Sequence, residues 1–135
     1  MSRPLPNVAD REFAPFWEGT ALGELRLVFC TACGEVRWPP RPICDRCRSF
    51  ELEWRAVDPR GGLYTWTVVE HRTTADIPPP YVVGLVDIAD HPGVRLLGQV
   101  VAEPDALAVG MPLVARFDRV TDDVTLVNWE PAPGG

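Results

Sequence analysis

The 135-residue chain contains no lysine: all 13 of its basic residues are arginine. That removes Schiff-base chemistry and the lysine of a phosphate-binding loop at once. Serine is nearly missing too, with only Ser2 near the start and Ser49 two residues after the last cysteine. Neither a Gly-x-Ser-x-Gly nor a Gly-x-Gly-x-x-Gly occurs, so serine hydrolysis and dinucleotide binding lose their usual frameworks. The two histidines, His71 at an expected strand end and His91 in an expected turn, have no evident nucleophile to serve and read as solvated loop residues. No apolar run approaches the roughly 20 residues of a membrane-spanning helix, and Met1 to Asn7 lacks the apolar stretch of a secretory signal. A soluble, cytoplasmic protein without a membrane partner is expected.

Positive charge is also scarce where it would matter for nucleic acid. The formal net charge is -6. Residues 1–60 hold nine arginines against nine acids, whereas residues 61–135 hold four against ten. A surface that tracks phosphates needs the opposite sign, so nucleic acid is not an expected partner. With 46% hydrophobic residues the chain can build one modest core and a small satellite, not two full-sized domains.

Three zones follow one another. Residues 1–28 read as a helical arm: Pro15 suits a first helical position, Phe16 and Trp17 supply anchors, and Gly23 suits the end. Leu25 to Phe29 then reads as a strand. Residues 29–50 hold all four cysteines, and residues 51–135 read as all-β. The apolar, β-branched stretches Leu63–Val69, Tyr81–Ile88, Val94–Val101, Leu113–Val120 and Thr125–Trp129 make five strands, the count of an OB-fold barrel. Pro78 to Pro80, His91 to Gly93 and Asp122 to Asp123 supply the turns. Pro104 to Val109 suits a single helical turn, and the end, Pro131 to Gly135, is expected to fray. The expected fold is therefore mainly β: a short N-terminal helix, a rubredoxin-like zinc ribbon and a C-terminal five-stranded OB-fold barrel.

Cys30 and Cys33 are two residues apart, as are Cys44 and Cys47, with ten residues between the pairs. Each pair makes a knuckle whose tight turn aims both sulfurs at one ion. Gly34 permits the positive φ that such a turn needs, while Arg48 takes the equivalent place in the second knuckle. Ordering the backbone of the Cys30 to Cys47 segment costs about 1 to 2 kcal/mol per residue. Burying Val36, Trp38 and Ile43 returns only about 2 to 3 kcal/mol each. A structural zinc contributes about 10 to 16 kcal/mol in small ribbons, which is of the size required. Four thiolates close the tetrahedral shell, leaving no position for substrate. Two disulfides are the alternative for an oxidising compartment, and a rubredoxin-like electron-transfer iron site uses the same ligands.

Two further features could bind a partner or ligand. One is the cluster Arg37, Arg41, Arg46 and Arg48, whose guanidinium forks suit phosphates and carboxylates but also have Glu35, Asp45 and Glu51 nearby as ordinary ion-pair partners. The other is the loop from Arg72 to Pro80, stiffened by Pro78, Pro79 and Pro80 and ending in Tyr81. Tyr64, Trp66 and Phe117 are expected to fill the barrel rather than to stack on the bases of a nucleic acid.

Phe16-Trp17-Glu18-Gly19, Gly23-Glu24-Leu25, Cys30-x-x-Cys33-Gly34, Pro39-Pro40-Arg41, Cys44-x-x-Cys47, Pro80-Tyr81-Val82-Val83 and Gly110-Met111-Pro112-Leu113 occur in that order. Over nearly its whole length the chain resembles the zinc-ribbon/OB-fold proteins associated with acyl-CoA enzymes, a domain family long described as of unknown function. Asp45 stands where that family often has proline after the third cysteine. The resemblance implies Cys30, Cys33, Cys44 and Cys47 as metal ligands. It further implies a non-catalytic subunit of a hetero-oligomer: family members are encoded with thiolase-like enzymes of the lipid-transfer-protein type or fused to MaoC-like hydratase domains, and here a separate thiolase-like partner is expected, with the arginine cluster and the proline loop as candidates for contact with it or with coenzyme A. Such complexes act on acyl-CoA thioesters, some from steroid side chains, with aldol cleavage or thiolysis as the reaction class.

Overall fold

The computed structural model describes residues 5–72 and 77–133. Helix α1 (Ala14–Ala21) carries Pro15 in its first turn, where a missing N–H breaks no helical bond. Its far end closes through Gly23 N–H to Thr20 O (3.0 Å) and Glu24 N–H to Gly19 O (2.8 Å), with Gly23 at φ 75°. That left-handed closure is the one glycine makes without strain.

Strands β1 (Leu25–Cys30), β2 (Val36–Arg37) and β3 (Leu52–Val57) form a small antiparallel sheet in the order β2-β1-β3. β1 is its centre, and Leu25, Leu27, Val28 and Cys30 are all buried. β3 lies inside residues 51–135, the stretch assigned to the barrel on sequence, yet it pairs along its whole length with β1. Leu52, Glu53, Trp54 and Arg55 alternate apolar and charged with the period of a half-buried strand, a signal that a reading by continuous apolar stretches passes over.

The remaining strands are β4 (Arg60–Val69), β5 (Tyr81–Ile88), β6 (Arg95–Val100), β7 (Pro112–Arg119) and β8 (Thr125–Pro131). They close into a barrel in the order β4-β5-β6-β8-β7, antiparallel throughout except for the β6/β8 pair. That path is the OB-fold. A single 3-10 turn, Pro104–Ala106, bridges β6 and β7 where one helical turn was expected. The fifth barrel strand continues past Trp129 to Pro131, and Ala132 N–H still bonds Pro112 O, so the fraying expected from Pro131 is not seen there; Gly134 and Gly135 lie outside the described residues.

Inside the barrel, β5 alternates strictly, burying Val82, Val86 and Ile88, and Trp129 of β8 is fully enclosed. Trp66 and Phe117 pack against this core as expected. Tyr64 does not. An irregularity in the β4/β5 pairing between Leu63 and Thr65 turns it outward, 44% exposed, with the Arg95 guanidinium 3.8 Å above its ring. Leu25, Leu27 and Phe16 belong to the same apolar cluster as the barrel interior, so arm, small sheet and barrel share one core. Trp38 ties the cysteine segment to it, with ring centroids 5.1 Å from Phe16 and 6.1 Å from Trp54. His91, expected in solvent, instead packs edge-on against Phe29 at 5.4 Å, because the β5–β6 turn folds against the end of β1. No helix among the described residues is long and apolar enough to cross a membrane.

Candidate metal centre

The two knuckles are built alike. In the first, Gly34 N–H donates to Cys30 O (2.8 Å) and Cys30 N–H to Glu35 O (2.9 Å). In the second, Arg48 N–H donates to Cys44 O (2.8 Å) and Cys44 N–H to Ser49 O (2.8 Å). Each contains one left-handed residue at the matching place, Gly34 at φ 80° and Arg48 at φ 64°. Arg48 accepts there a conformation that costs a non-glycine residue roughly 1 kcal/mol, so its contribution to the site is made by the backbone.

The repeated turn brings all four cysteine sulfurs within 4.8 Å of one another. Across the knuckles, Cys30 Sγ lies 3.5 Å from Cys47 Sγ and Cys33 Sγ 3.8 Å from Cys44 Sγ. These are not disulfide distances, and all four cysteines are free. Sulfurs about 2.3 Å from a central zinc stand about 3.8 Å apart along the edges of a tetrahedron, so the observed spacing fits such an ion. Cys30 and Cys44 face inward and Cys33 and Cys47 outward.

Charge within the cluster is uneven. Backbone N–H groups of Cys47 and Arg46 draw the Cys44 thiol down to about 6 against the effect of burial, and Arg37 adds to the pull. At Cys47 the Ser49 N–H acts in the lowering direction, yet burial and the sulfurs of Cys30, Cys44 and Cys33 push the thiol up to about 12. Four sulfurs this close cannot all carry charge unless a cation sits among them.

The four arginines have different surroundings. Arg37 is turned inward: Nη1 pairs with Asp45 at 2.7 Å, while Nε and Nη2 are buried without a nitrogen or oxygen acceptor. The Cys44 thiol acts on this guanidinium electrostatically. Burial lowers the Arg37 pKa, but Cys44 and Asp45 outweigh it and the net change is upward. Those two nitrogens are not presented to a partner. Arg46 pairs with Glu35 on the surface. Arg41 reaches the Pro40 carbonyl at 3.4 Å and lines a cleft of about 340 Å³ with Arg37, Trp38 and Asp45 on one side and Pro92 and Gly93 on the other. The pairing of Arg37 with Asp45, eight positions apart across a loop, carries no periodic signal in sequence.

The second candidate set lies elsewhere. Of the Arg72 to Pro80 loop, residues 73–76 lie outside the described residues. Pro78, Pro80 and Tyr81 border a separate groove of about 460 Å³ with Gln99, Val101 and Glu103. That groove is at the start of β5, whereas the cleft at Arg41 is beyond its end, a strand length on the order of 25 Å away. The structure thus does not bring the arginines and the proline loop into one patch. Ser49 and His91 are both engaged structurally, Ser49 Oγ accepting the Glu51 N–H at 2.9 Å and His91 packing on Phe29.

Comparison with known proteins gives matches over most of this architecture. Residues 17–53 match the family described as the rubredoxin-like zinc ribbon domain of ChsH2, and residues 54–118 the family described as the C-terminal OB-fold domain of ChsH2. The chain is 35% identical over 100 residues to a DUF35 domain-containing scaffold protein of Methanocaldococcus jannaschii, covering 71% of this chain and 69% of the relative. It is 32% identical over 132 residues to the 3-oxo-4,17-pregnadiene-20-carboxyl-CoA hydratase alpha subunit of Mycobacterium tuberculosis, covering 97% of this chain but spanning only 40% of that subunit. Among solved structures, the Ltp2-ChsH2(DUF35) aldolase contains a chain that superposes with a TM-score of 0.84 at 31% identity, covering 96% of this chain and 98% of that one.

Proposed function

Because the chain belongs to the DUF35 family of zinc-ribbon and OB-fold proteins that includes ChsH2, we propose that it is the accessory subunit of an acyl-CoA aldolase whose catalytic subunit is thiolase-like. The observation that carries this reading is the end-to-end similarity of both modules, in one continuous superposition, to the chain solved as part of the Ltp2-ChsH2 aldolase. The name of the M. tuberculosis relative favours a bulky, steroid-derived acyl group over a short one. Cys30, Cys33, Cys44 and Cys47 would hold one zinc, which supplies fold stability with all four positions taken by sulfur. On this reading the chain's own residues build and brace a docking body, and the reacting groups are the partner's.

Co-expression with the thiolase-like subunits of its own host tests the assignment. The tagged chain should co-elute with one of them as a defined hetero-oligomer, and that complex should cleave acyl-CoA aldol substrates that neither chain cleaves alone. Full activity of the thiolase-like subunit without this chain, or turnover by this chain in isolation, would overturn the accessory role.

A further inference from the structure

The outward faces of the barrel differ sharply from one side to the other. On β7 and β8 the corresponding face carries paired charge among Val114 and Leu126: Arg116 meets Asp118 at 2.8 Å and Glu130 at 3.9 Å, and the largely buried Asn128 donates to Asp118 at 2.8 Å. On β4, β5 and β6 the residues opposite the buried Val82, Val86, Leu96 and Val100 point out, as strand alternation requires. Register aligns Thr65, Leu85 and Leu97 in one outward row. Thr67, Val83 and Gln99 form the next, and Val69 pairs with Tyr81 beyond it. None of these positions is charged, in a chain with 24% charged residues. The first charged row is Asp87 with Arg95, a 2.8 Å pair that marks the border. Leu97 is 70% exposed and Val101, just past β6, 40%.

We infer that this uncharged β4–β5–β6 face is where the thiolase-like subunit docks; the inference rests on the accessory reading above. Three strands about 4.8 Å apart and rows about 6.8 Å apart give a flat face on the order of 300 Å². A stable interface takes about 800 Å² from each partner, so the face supplies a dry centre to which the rim must add. The groove between Pro78 and Val101 adjoins it at the Tyr81 end and offers a concave seat for a projecting side chain. A second copy is the less suitable occupant, because each copy carries a net charge of -6 and association doubles it. Such a face asks of its partner an apolar surface against Leu85, Leu97 and Val83, with neutral hydrogen-bonding groups rather than charges opposite Thr65, Thr67 and Gln99.

Leu97→Arg and Thr67→Arg place a charge on the face from its two flanking strands, β6 and β4, on side chains that already meet solvent, and Arg119→Ala on β7 is the control. Zinc content and far-ultraviolet circular dichroism confirm folding, and affinity for the co-expressed thiolase-like subunit is the readout. Each arginine variant is expected to weaken assembly at least 100-fold while Arg119→Ala binds like wild type. Wild-type affinity in both arginine variants overturns this placement and leaves the accessory role standing. A wild-type chain that dimerises alone, and whose Leu97→Arg form becomes monomeric yet keeps full partner affinity, assigns the face to a second copy and likewise overturns it. If the wild type assembles with no thiolase-like subunit, the accessory role falls and this inference with it.

Discussion

Replacing Arg37 with methionine separates a half-buried arginine that supports the sulfur cluster from surface arginines that decorate it. Arg37 has Asp45 on one nitrogen, two further nitrogens buried without a hydrogen-bond partner, and a Cys44 thiol that acts to raise its pKa, with its side chain 20% exposed. A hydrogen bond to a charged group contributes about 1.5 to 3 kcal/mol, and loss of a group that braces a metal ligand lowers metal affinity by about 10- to 100-fold. At about 1.4 kcal/mol per decade the two figures agree. Arg46 gives the comparison, since its ion pair with Glu35 is made by a side chain 64% exposed. Exposed pairs contribute about 1 kcal/mol or less, so Arg46→Met should change zinc affinity by under about fivefold. Arg37→Lys should fall between, keeping the charge but losing the fork. Competition with a chromogenic chelator measures all three, and circular dichroism of the zinc-loaded forms verifies that they are folded. Equal losses at positions 37 and 46, or wild-type affinity in Arg37→Met, would refute the reasoning.

Other perturbations have expected outcomes of their own. Chelation should collapse the cysteine segment and change the fluorescence of Trp38 while the barrel's β signal persists, because Trp38 sits on that segment and against Phe16; one zinc per chain should be found beforehand, and iron would contradict the reading. Trp38→Ala should lower stability in urea by about 3 kcal/mol, less if water fills the space; a loss under 1 kcal/mol would mean that the arm is held by other contacts. Gly61→Ala should cost about 2 kcal/mol or more, since the added methyl falls on the Asp87 carbonyl oxygen and against Val86; an unchanged unfolding midpoint would show that β4 and β5 yield. Single-stranded DNA should bind more weakly than micromolar at physiological salt, given the net charge of -6; tighter binding in a filter or anisotropy assay would reverse that exclusion.

Much of this protein follows from sequence because its signals are local. A Cys-x-x-Cys repeated after a fixed gap, Pro15 ahead of Gly23, and β-branched runs broken by Pro and Gly each express a constraint carried by a few adjacent residues, and the helix, knuckles and five barrel strands appear where those constraints put them. Tertiary structure decided whatever depends on a distant neighbour. β3 carries a strand's alternation in Leu52 to Arg55, but its pairing with β1 rather than with the barrel strands is set by packing. Tyr64 faces out because one irregularity in the β4/β5 register shifts it. His91 is half-buried because the turn that holds it meets Phe29. Arg37 leaves the surface cluster because Asp45 and the Cys44 thiol act on it from across a loop. Its separation from Tyr81 by the length of β5 is likewise set by closure of the barrel. Sequence spacing fixes what a residue can reach within a turn, and only packing fixes which face it shares with residues far along the chain.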